Sequence, residues 1–321
     1  MMLGLRWSTA GFEVRGRVVV ISGAGQGIGL ELARMLYRRG ASVAMIDLDE
    51  ERARSAASEL GQRALAVRAD VADRAGMVAA FEAVRERFGR IDVVVANAGV
   101  TPAPATIRTM DPADFDRVLA INLTGVFNTV RPALDDIVAA RGHVVVVSSC
   151  AAFAPGMGGS PYMISKAGVE QLGRALRVEL AAVGASAGVA YFGIVDTAMT
   201  HHTLDEDELG REVGRLLPWP LNRRITAVEA AATIADGIAH RAARTIAPSA
   251  WEPYALLRGA VNVVLDRYLS LDAQTHELIR RLEQRALALA AEAVDSAVAS
   301  DERALPHAAE PLDSPVTSSG P

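Results

Sequence analysis

Residues 17–29 read RVVVISGAGQGIG and join a buried strand to a glycine-rich turn. The apolar run before the first glycine predicts a strand covered on both faces, and the apolar periodicity of residues 28–39 predicts the helix that follows it. Gly23, Gly27 and Gly29 form the pattern G-x-x-x-G-x-G. Glycines at these positions permit a tight turn and let the backbone approach a pyrophosphate, for which the helix N-terminus supplies amide donors.

Short apolar runs alternate with longer helical patterns as far as residue 247. The predicted strands lie at residues 17–22, 41–47, 64–68, 91–96, 143–148, 188–194 and 244–247. Strands that are apolar on both faces and separated by helices are typical of a parallel sheet with helices on both sides. The sequence therefore predicts an α/β fold, a Rossmann-type doubly wound parallel sheet in a three-layer αβα sandwich, within one domain at residues 1–250.

The pattern changes after this domain. Residues 251–300 predict a helical extension, with an amphipathic segment at 254–269 and one long helix at 273–299 that carries a narrow apolar stripe. Its interpretations remain open: the extension pairs with a second subunit, lies on a membrane surface, folds over the active site, or packs on its own domain. The thin, alanine-rich stripe favours subunit or self packing over membrane. Residues 301–321, rich in Pro, Ser, Ala and acid, predict a disordered tail.

Composition limits the classes of partner. The chain has 321 residues and a net charge of −5, with 38 acidic and 33 basic residues. Without a block of basic residues, nucleic acid is not an expected partner. Cys150 is the only cysteine and cannot form an internal disulfide, which suits a reducing compartment. The N-terminus lacks the features of a signal peptide and no stretch is apolar enough to span a membrane, so we expect a cytoplasmic protein.

Lys166 is the only lysine of the chain and follows Tyr162 by four residues. On a helix these two positions share one face, so a compact ammonium group can lie beside the phenol and lower its pKa. A chance match to such a short pattern is the alternative. Asp47 ends the second predicted strand, where a carboxylate can accept hydrogen bonds from ribose hydroxyls. Gln26 and Leu48 supply no cation for a 2′-phosphate, so NAD is favoured over NADP.

The glycine-rich turn and four further segments occur in the order that is typical of the short-chain dehydrogenase/reductase superfamily. The chain resembles this superfamily over roughly residues 14–247. The matching segments are Asp70-Val71, Asn97-Ala98-Gly99, Asn122 in Ile121-Asn122-Leu123, and Ser149, which precedes Tyr162 by 13 residues. One departure is Phe192-Gly193, where the family usually has Pro-Gly. The absence of the proline affects the expected path of the loop that follows. Ile194 and Thr197 still match family positions that touch the cofactor carboxamide.

The resemblance implies the role of each residue. Tyr162 would be the general acid/base, Ser149 would hold the substrate oxygen, Lys166 would favour the phenolate and bind ribose hydroxyls, and Asn122 would support a proton-relay water. The cofactor-binding residues implied are Gly23, Gln26, Gly27, Ile28, Gly29, Asp47, Asp70, Val71, Asn97, Ala98, Gly99, Tyr162, Lys166, Ile194 and Thr197. His201 and His202 lack the further ligands that a metal would need, so no metal is expected.

The predicted function is an NAD-dependent oxidoreductase that interconverts a secondary alcohol and a ketone. Substrate shape is expected to come from residues 151–160, residues 197–224 and the C-terminal extension. The first segment is small and apolar and the second carries Met199, which favours a lipophilic substrate, such as a steroid, retinoid-like or terpenoid compound. A non-catalytic NAD(H)-binding sensor or scaffold is the alternative, and an epimerase or dehydratase is a third interpretation. The family resemblance also implies a homodimer or homotetramer formed through the helices at residues 112–140 and 162–183.

Overall fold

The computed structural model describes residues 11–156, 158–215 and 219–304. Its strands are β1 (Val18–Ser22), β2 (Ser42–Asp47), β3 (Ala64–Arg68), β4 (Val93–Ala96), β5 (His143–Val147), β6 (Ser186–Phe192), β7 (Ile194–Asp196), β8 (Arg224–Thr226) and β9 (Arg244–Ala247). Seven of them form one parallel sheet in the order β3-β2-β1-β4-β5-β6-β9. The chain builds outward from β1 to β3 and then crosses to β4 on the other side of β1. This reversal opens a crevice at the carboxyl ends of β1 and β4.

Helices connect the strands and continue beyond the sheet. They are α1 (Gly27–Arg38), α2 (Glu50–Leu60), α3 (Arg74–Phe88), α4 (Pro112–Leu119), α5 (Gly125–Val130), α6 (Leu134–Ala139), α7 (Ser160–Ala181), α8 (Ala198–Thr200), α9 (Glu208–Arg215), α10 (Ala227–Ala239), α11 (Glu252–Leu269) and α12 (Ala273–Ala304). A π-helical turn, Ala120–Thr124, joins α4 to α5. The region predicted to be helical, residues 112–140, is thus a series of consecutive helical segments. A π-helical turn interrupts the α-helical pattern just before Gly125.

The sheet has a separate hydrophobic core on each face, which confirms the predicted three-layer sandwich. One core packs α1, α2 and α10 against the sheet, and the other packs α3, α5 and α7. Leu32 and Leu36 lie one turn apart on α1 and are fully buried, because the i, i+4 spacing places both on the face toward the sheet. Each such side chain contributes roughly 1.5–3 kcal/mol by leaving water.

The structure corrects the predicted sixth strand. It ends at Phe192 and not at Ile194, because the chain bends at Gly193 and starts β7, which pairs in parallel with β8 in a second, two-stranded sheet. A Cβ atom on Gly193 would lie 2.6 Å from Nε1 of Trp251. The absence of a side chain therefore lets the backbone pass close to the indole.

The two C-terminal helices pack against the rest of the chain. Tyr254 of α11 packs onto the core below α7, and Arg258 of α11 forms a two-pronged ion pair with Glu170 of α7. The helix α12 contacts α9 and continues to Ala304, four residues into the segment predicted to be disordered. The rest of that segment lies outside the described residues, and the division at residue 250 stays a prediction. Within the described residues, no helix is long and apolar enough to cross a membrane.

Candidate active site

A cavity of about 590 Å³ opens at the carboxyl ends of the central strands. The predicted site residues that line it are Gly23, Gln26, Gly27, Ile28, Asp47, Asp70, Val71, Asn97, Ala98, Gly99, Ser149, Tyr162, Lys166 and Thr197. Residues separated by more than 170 positions in the chain meet there because parallel strands end at the same edge of the sheet. Gly29, Asn122 and Ile194 lie outside its lining.

The glycine turn shapes one end of this cavity. Gly23 and Gly27 have φ angles of 64° and 56°, which only glycine adopts without strain. A Cβ atom on Gly27 would be in ordinary contact, 3.5 Å from Thr197 Cγ2. Gly29 has a different role, since a Cβ atom there would lie 2.1 Å from the carbonyl oxygen of Gly23. Gly29 therefore permits the first turn of α1 to pack against the glycine turn and does not line the cavity.

Asp47 is held at the end of β2 by two backbone amides. Its Oδ2 accepts a hydrogen bond from the Gly25 amide at 2.8 Å, and its Oδ1 accepts one from the Asp49 amide at 3.0 Å. A carboxylate has about four lone-pair sites, so both oxygens keep capacity for a further donor. This geometry fixes the carboxylate on the cavity wall, where the sequence predicted a ribose-binding acid.

Arg52 is a cavity residue that the sequence analysis missed. Its Nη1 donates to Oε1 of Gln26 at 2.5 Å, and its Nε lies 2.9 Å from Asp49 Oδ2. Its position in the first turn of α2 directs the side chain back toward the glycine turn. Gln26 and Leu48 supply no cation, as expected from their side chains, but Arg52 brings one to this end of the cavity. The helical periodicity after Asp47 was the signal that could have revealed it.

Asn97 links the ends of β1 and β4. Its Nδ2 donates to the carbonyl oxygens of Ser22 at 3.0 Å and Gly23 at 3.1 Å, and its amide donates to Ser22 Oγ at 3.1 Å. Gly23 itself must lack a side chain, since a Cβ atom there would lie 2.8 Å from Ala98 Cα. The Asn97-Ala98 pair therefore holds the glycine turn in place.

The opposite end of the cavity is formed by the end of β5 and the start of α7. Lys166 is 4% exposed; its Nζ donates to the Val147 carbonyl at 3.0 Å and lies 5.6 Å from the centroid of the Tyr162 ring. Ser149 Oγ donates to the Phe192 carbonyl at 3.2 Å. Ser148 Oγ donates to the Lys166 carbonyl at 2.8 Å and is buried. Ser148 thus anchors α7, and Ser149 lies beside it on the cavity lining.

Burial is the largest influence on the pKa values of Tyr162 and Lys166. It raises the pKa of Tyr162 above its ordinary value, while a hydrogen bond with Ser149 acts in the opposite direction. Burial lowers the pKa of Lys166 to about 8. The sequence analysis expected Lys166 to lower the pKa of Tyr162. In this structure, loss of water around the phenol outweighs the factors that favour the phenolate.

Asn122 lies in the π-helical turn, just behind the cavity wall. Its side chain pairs with both backbone groups of Val100, accepting from the amide and donating to the carbonyl at 2.8 Å each, and its Nδ2 lies 3.2 Å from Ser165 Oγ. Gly99 stands between Asn122 and the reaction end: a Cβ atom there would lie 3.3 Å from Asn122 Oδ1 and 3.4 Å from Lys166 Nζ. The π-helical turn, a feature frequent at functional sites, places this side chain against Val100 and Ser165.

The segment after β7 forms a further wall. Thr197 lines the cavity and caps α8, its Oγ1 accepting from the Thr200 amide at 3.4 Å. Met199 and Thr200 also line the cavity and lie in the segment 197–224 from which the sequence predicted part of the substrate site. Ile194 lies three residues before Thr197, at the start of β7, and is outside the lining.

Other residues that drew attention in the sequence contribute no reactive site. Burial raises the pKa of the Cys150 thiol well above its usual range, which makes it unreactive. His201 lies between two carboxylates, 2.9 Å from Asp196 Oδ1 and 2.7 Å from Asp205 Oδ2. No group suited to a metal ion occurs among the described residues.

Comparison with known proteins places this geometry in a family. The family model described as short chain dehydrogenase matches residues 17–208, more than half of the chain. The matched region contains both ends of the cavity, from the glycine turn to the segment after β7. The chain belongs to the short-chain dehydrogenase family and is an oxidoreductase of that family.

The individual proteins to which the chain is similar are named for different substrates. The chain is 36% identical over 209 residues to 2-(R)-hydroxypropyl-CoM dehydrogenase of Xanthobacter autotrophicus, covering 63% of this chain and 84% of the relative. It is 38% identical over 186 residues to cis-4-hydroxycyclohexanecarboxylate dehydrogenase of Sinomonas cyclohexanicum, covering 57% and 75%. Among solved structures it is similar to 3-ketoacyl-(acyl-carrier-protein) reductase of Brucella melitensis complexed with NADH, with 26% identity, a TM-score of 0.65 and coverage of 73% and 97%.

Proposed function

We propose that the protein is an NAD-dependent oxidoreductase that interconverts a secondary alcohol and a ketone, with Tyr162 as the general acid/base. The observation that carries this proposal is the meeting of Ser149, Tyr162 and Lys166 in the same cavity as the glycine turn and Asp47. One end of the cavity has the glycine turn and the backbone amide donors that suit a dinucleotide. The other end has the phenol of Tyr162, the hydroxyl of Ser149 and the ammonium group of Lys166. The relatives named above, dehydrogenases and a reductase, support the same class of reaction.

The residues at the glycine turn fit a dinucleotide. Gly27 carries no side chain and adopts the positive φ that the turn needs. Gln26 at the start of α1 is bonded through its side chain to Arg52 and makes no side-chain bond to the first turn of its own helix. The first amides of α1 would therefore face the pyrophosphate. Asp47 would accept from the ribose hydroxyls, which favours NAD over NADP. The bound nicotinamide would supply the hydride chemistry.

The chain's own residues handle the proton. In oxidation, the Tyr162 phenolate takes the hydroxyl proton of the alcohol, and in reduction the phenol returns a proton to the carbonyl oxygen. Ser149 donates a hydrogen bond to the same oxygen and orients it. Lys166 places positive charge beside the phenol, and Asn122 supports a water through which that proton reaches solvent. Because burial raises the pKa of Tyr162, we expect alcohol oxidation to accelerate as pH rises from neutral.

The lining of the reaction end supports a lipophilic substrate. Val100, Phe192, Val195 and Met199 lie on the cavity wall, and such surfaces bind apolar ligands while a few polar groups fix their orientation. A secondary alcohol or ketone of a steroid, retinoid-like or terpenoid compound stays the proposed class.

We further propose that the protein is a homodimer or homotetramer. The helices predicted to form the interface carry exposed apolar side chains: Phe127 on α5 is 42% exposed, and Ile164 and Val178 on α7 are 46% and 75% exposed. Light scattering coupled to size-exclusion chromatography gives the mass in solution, and a monomer at micromolar concentration would contradict this proposal.

The proposed activity is tested by NADH formation from NAD and a panel of lipophilic and polar secondary alcohols, with NADP in parallel. We expect turnover with NAD, best with apolar alcohols, and none with Tyr162→Phe. Best substrates that are sugars or phosphorylated compounds would contradict the substrate class. An intact enzyme that binds NAD but turns over no member of the panel would favour the sensor interpretation.

A further inference from the structure

Three segments surround the reaction end of the cavity. We call them the β4 loop (residues 97–111), the β5 loop (residues 148–156 and 158–159) and the β7 segment (residues 197–207). Each contributes lining residues: Gly99 and Val100 from the β4 loop, Ser149 from the β5 loop, and Met199 from the β7 segment. The space available to a substrate therefore depends on how far apart these three segments stand.

The segments are tied to one another outside the cavity. Thr101 Oγ1 of the β4 loop lies 2.9 Å from Thr203 Oγ1 of the β7 segment. The Ala105 amide of the β4 loop donates to the Gly158 carbonyl of the β5 loop at 3.0 Å. Both contacts join segments that follow different strands, so together they tie the rim of the site on its outer side.

The C-terminal helix α12 contacts all three segments. Arg285 donates to Asp207 Oδ2 of the β7 segment at 2.6 Å and to the Pro104 carbonyl of the β4 loop at 3.4 Å. Leu282 is fully buried and stands against Gly158, where an added Cβ atom would lie 3.1 Å from its Cδ1. One helix thus bridges the segments across the rim.

Further contacts fix α12 in that position. Leu278 and Leu282 of α12 bury against Leu209 of α9. Arg281 of α12 reaches both carboxylate oxygens of Glu212 on α9, at 2.8 and 2.7 Å. Because α9 directly continues the β7 segment, these contacts transmit the position of α12 to the cavity wall.

We propose that α12 is the outer wall of the substrate site and narrows the lipophilic class proposed above to compact ring or short-chain alcohols, which excludes an extended retinoid-like chain. This inference rests on the proposed function. A compact ring or short chain fits within the rim, whereas a long chain must pass between the β4 loop and the β7 segment and break their contacts. No described residue of α12 lines the cavity itself, so Arg281 and Arg285 are positioning residues that act through the three segments.

Reversing the charges of the ion pair between Glu212 and Arg281 tests whether α12 forms a wall of the substrate site. Glu212→Arg places two arginines opposite each other and loosens α12 from α9, while Glu212→Arg/Arg281→Glu restores the attraction. Arg280→Ala is the matched control, because Arg280 is exposed and pairs with Glu277 of its own helix. The substrates are straight-chain 2-alkanols of increasing length, with cyclohexanol as the compact reference.

For wild type we expect kcat/KM to fall steeply from short to long alkanols. In Glu212→Arg the long-to-short ratio should rise by about tenfold, the scale on which a pocket discriminates one methylene. The double variant and Arg280→Ala should keep the wild-type ratio. An equal preference for long and short alkanols in wild type, or an unchanged ratio in Glu212→Arg, would overturn the proposal.

A second readout does not depend on turnover. Amide hydrogen exchange in the β4 loop and the β7 segment should accelerate in Glu212→Arg and return to the wild-type rate in the double variant, since local opening sets the exchange rate. Amide exchange in the strands of the seven-stranded sheet should be unaffected. If all variants had the same amide exchange rates, the proposal that α12 forms a wall would be contradicted, even if no alcohol is turned over. If the exchange rates changed as expected but no alcohol were turned over, only the proposed function would be contradicted.

Discussion

Lys166 offers a direct test of the electrostatics at the reaction end. Burial lowers its pKa from 10.5 to about 8, and the side chain is almost fully buried with one carbonyl partner, Val147. One pH unit of pKa corresponds to 1.36 kcal/mol, so the fold disfavours the ammonium form by roughly 3 kcal/mol. Because the folded pKa lies below the unfolded one, this cost is complete below about pH 8 and disappears as the pH rises toward the unfolded pKa.

Replacing Lys166 with methionine removes the titrating group and keeps an unbranched side chain. The difference in unfolding free energy between Lys166→Met and wild type should therefore be roughly 2–3 kcal/mol more favourable to the variant at about pH 7 than at about pH 10. Urea unfolding at the two pH values measures this difference, and Arg280→Ala serves as a control in which an exposed cation is removed. Activity should be lost in Lys166→Met at both pH values.

The pKa itself is directly observable because Lys166 is the only lysine of the chain. Labelling with [13C]lysine gives one side-chain signal, which needs no assignment, and its titration should have a midpoint near pH 8. A midpoint near the ordinary lysine value of about 10.4, or a stability difference independent of pH, would refute the argument that burial controls this site.

Three further variants test other parts of the account. Gly29→Ala places a Cβ atom 2.1 Å from the Gly23 carbonyl, so it should destabilise the fold by about 1–3 kcal/mol and weaken NAD binding in calorimetry. Arg52→Ala should raise the Kd for NADP by about tenfold, the worth of one hydrogen bond to a charged group, with less than a threefold change for NAD. Asn122→Ala leaves both backbone groups of Val100 without their side-chain partner and should cost about 2–3 kcal/mol in urea unfolding.

The sequence predicted the sheet well because its signals are local. Apolar runs mark strands that are buried on both faces, and the glycines after the first strand mark the turn into α1. The predicted residues Ser149, Tyr162 and Lys166 do meet in one cavity with Asp47. This convergence follows from the topology, since parallel strands end at a common edge.

What the sequence did not predict depends on contacts between distant segments. The bend at Gly193 reflects the indole of Trp251, which lies 58 positions later in the chain. Arg52 reaches the site by folding back from α2, and α12 contacts the site through loops that no periodicity marks. The rise in the pKa of Tyr162 likewise comes from burial, which a motif does not encode.

The central claim is that the Tyr162 hydroxyl transfers the substrate proton. The most direct measurement compares NADH formation by wild type, Tyr162→Phe and Tyr191→Phe at saturating NAD. Tyr191 is a control because Tyr191→Phe also removes one phenol hydroxyl and Tyr191 lies outside the cavity lining. The account predicts that Tyr162→Phe still binds NAD but loses at least about 10²-fold in kcat, while Tyr191→Phe stays active. Comparable turnover by Tyr162→Phe and Tyr191→Phe would contradict it.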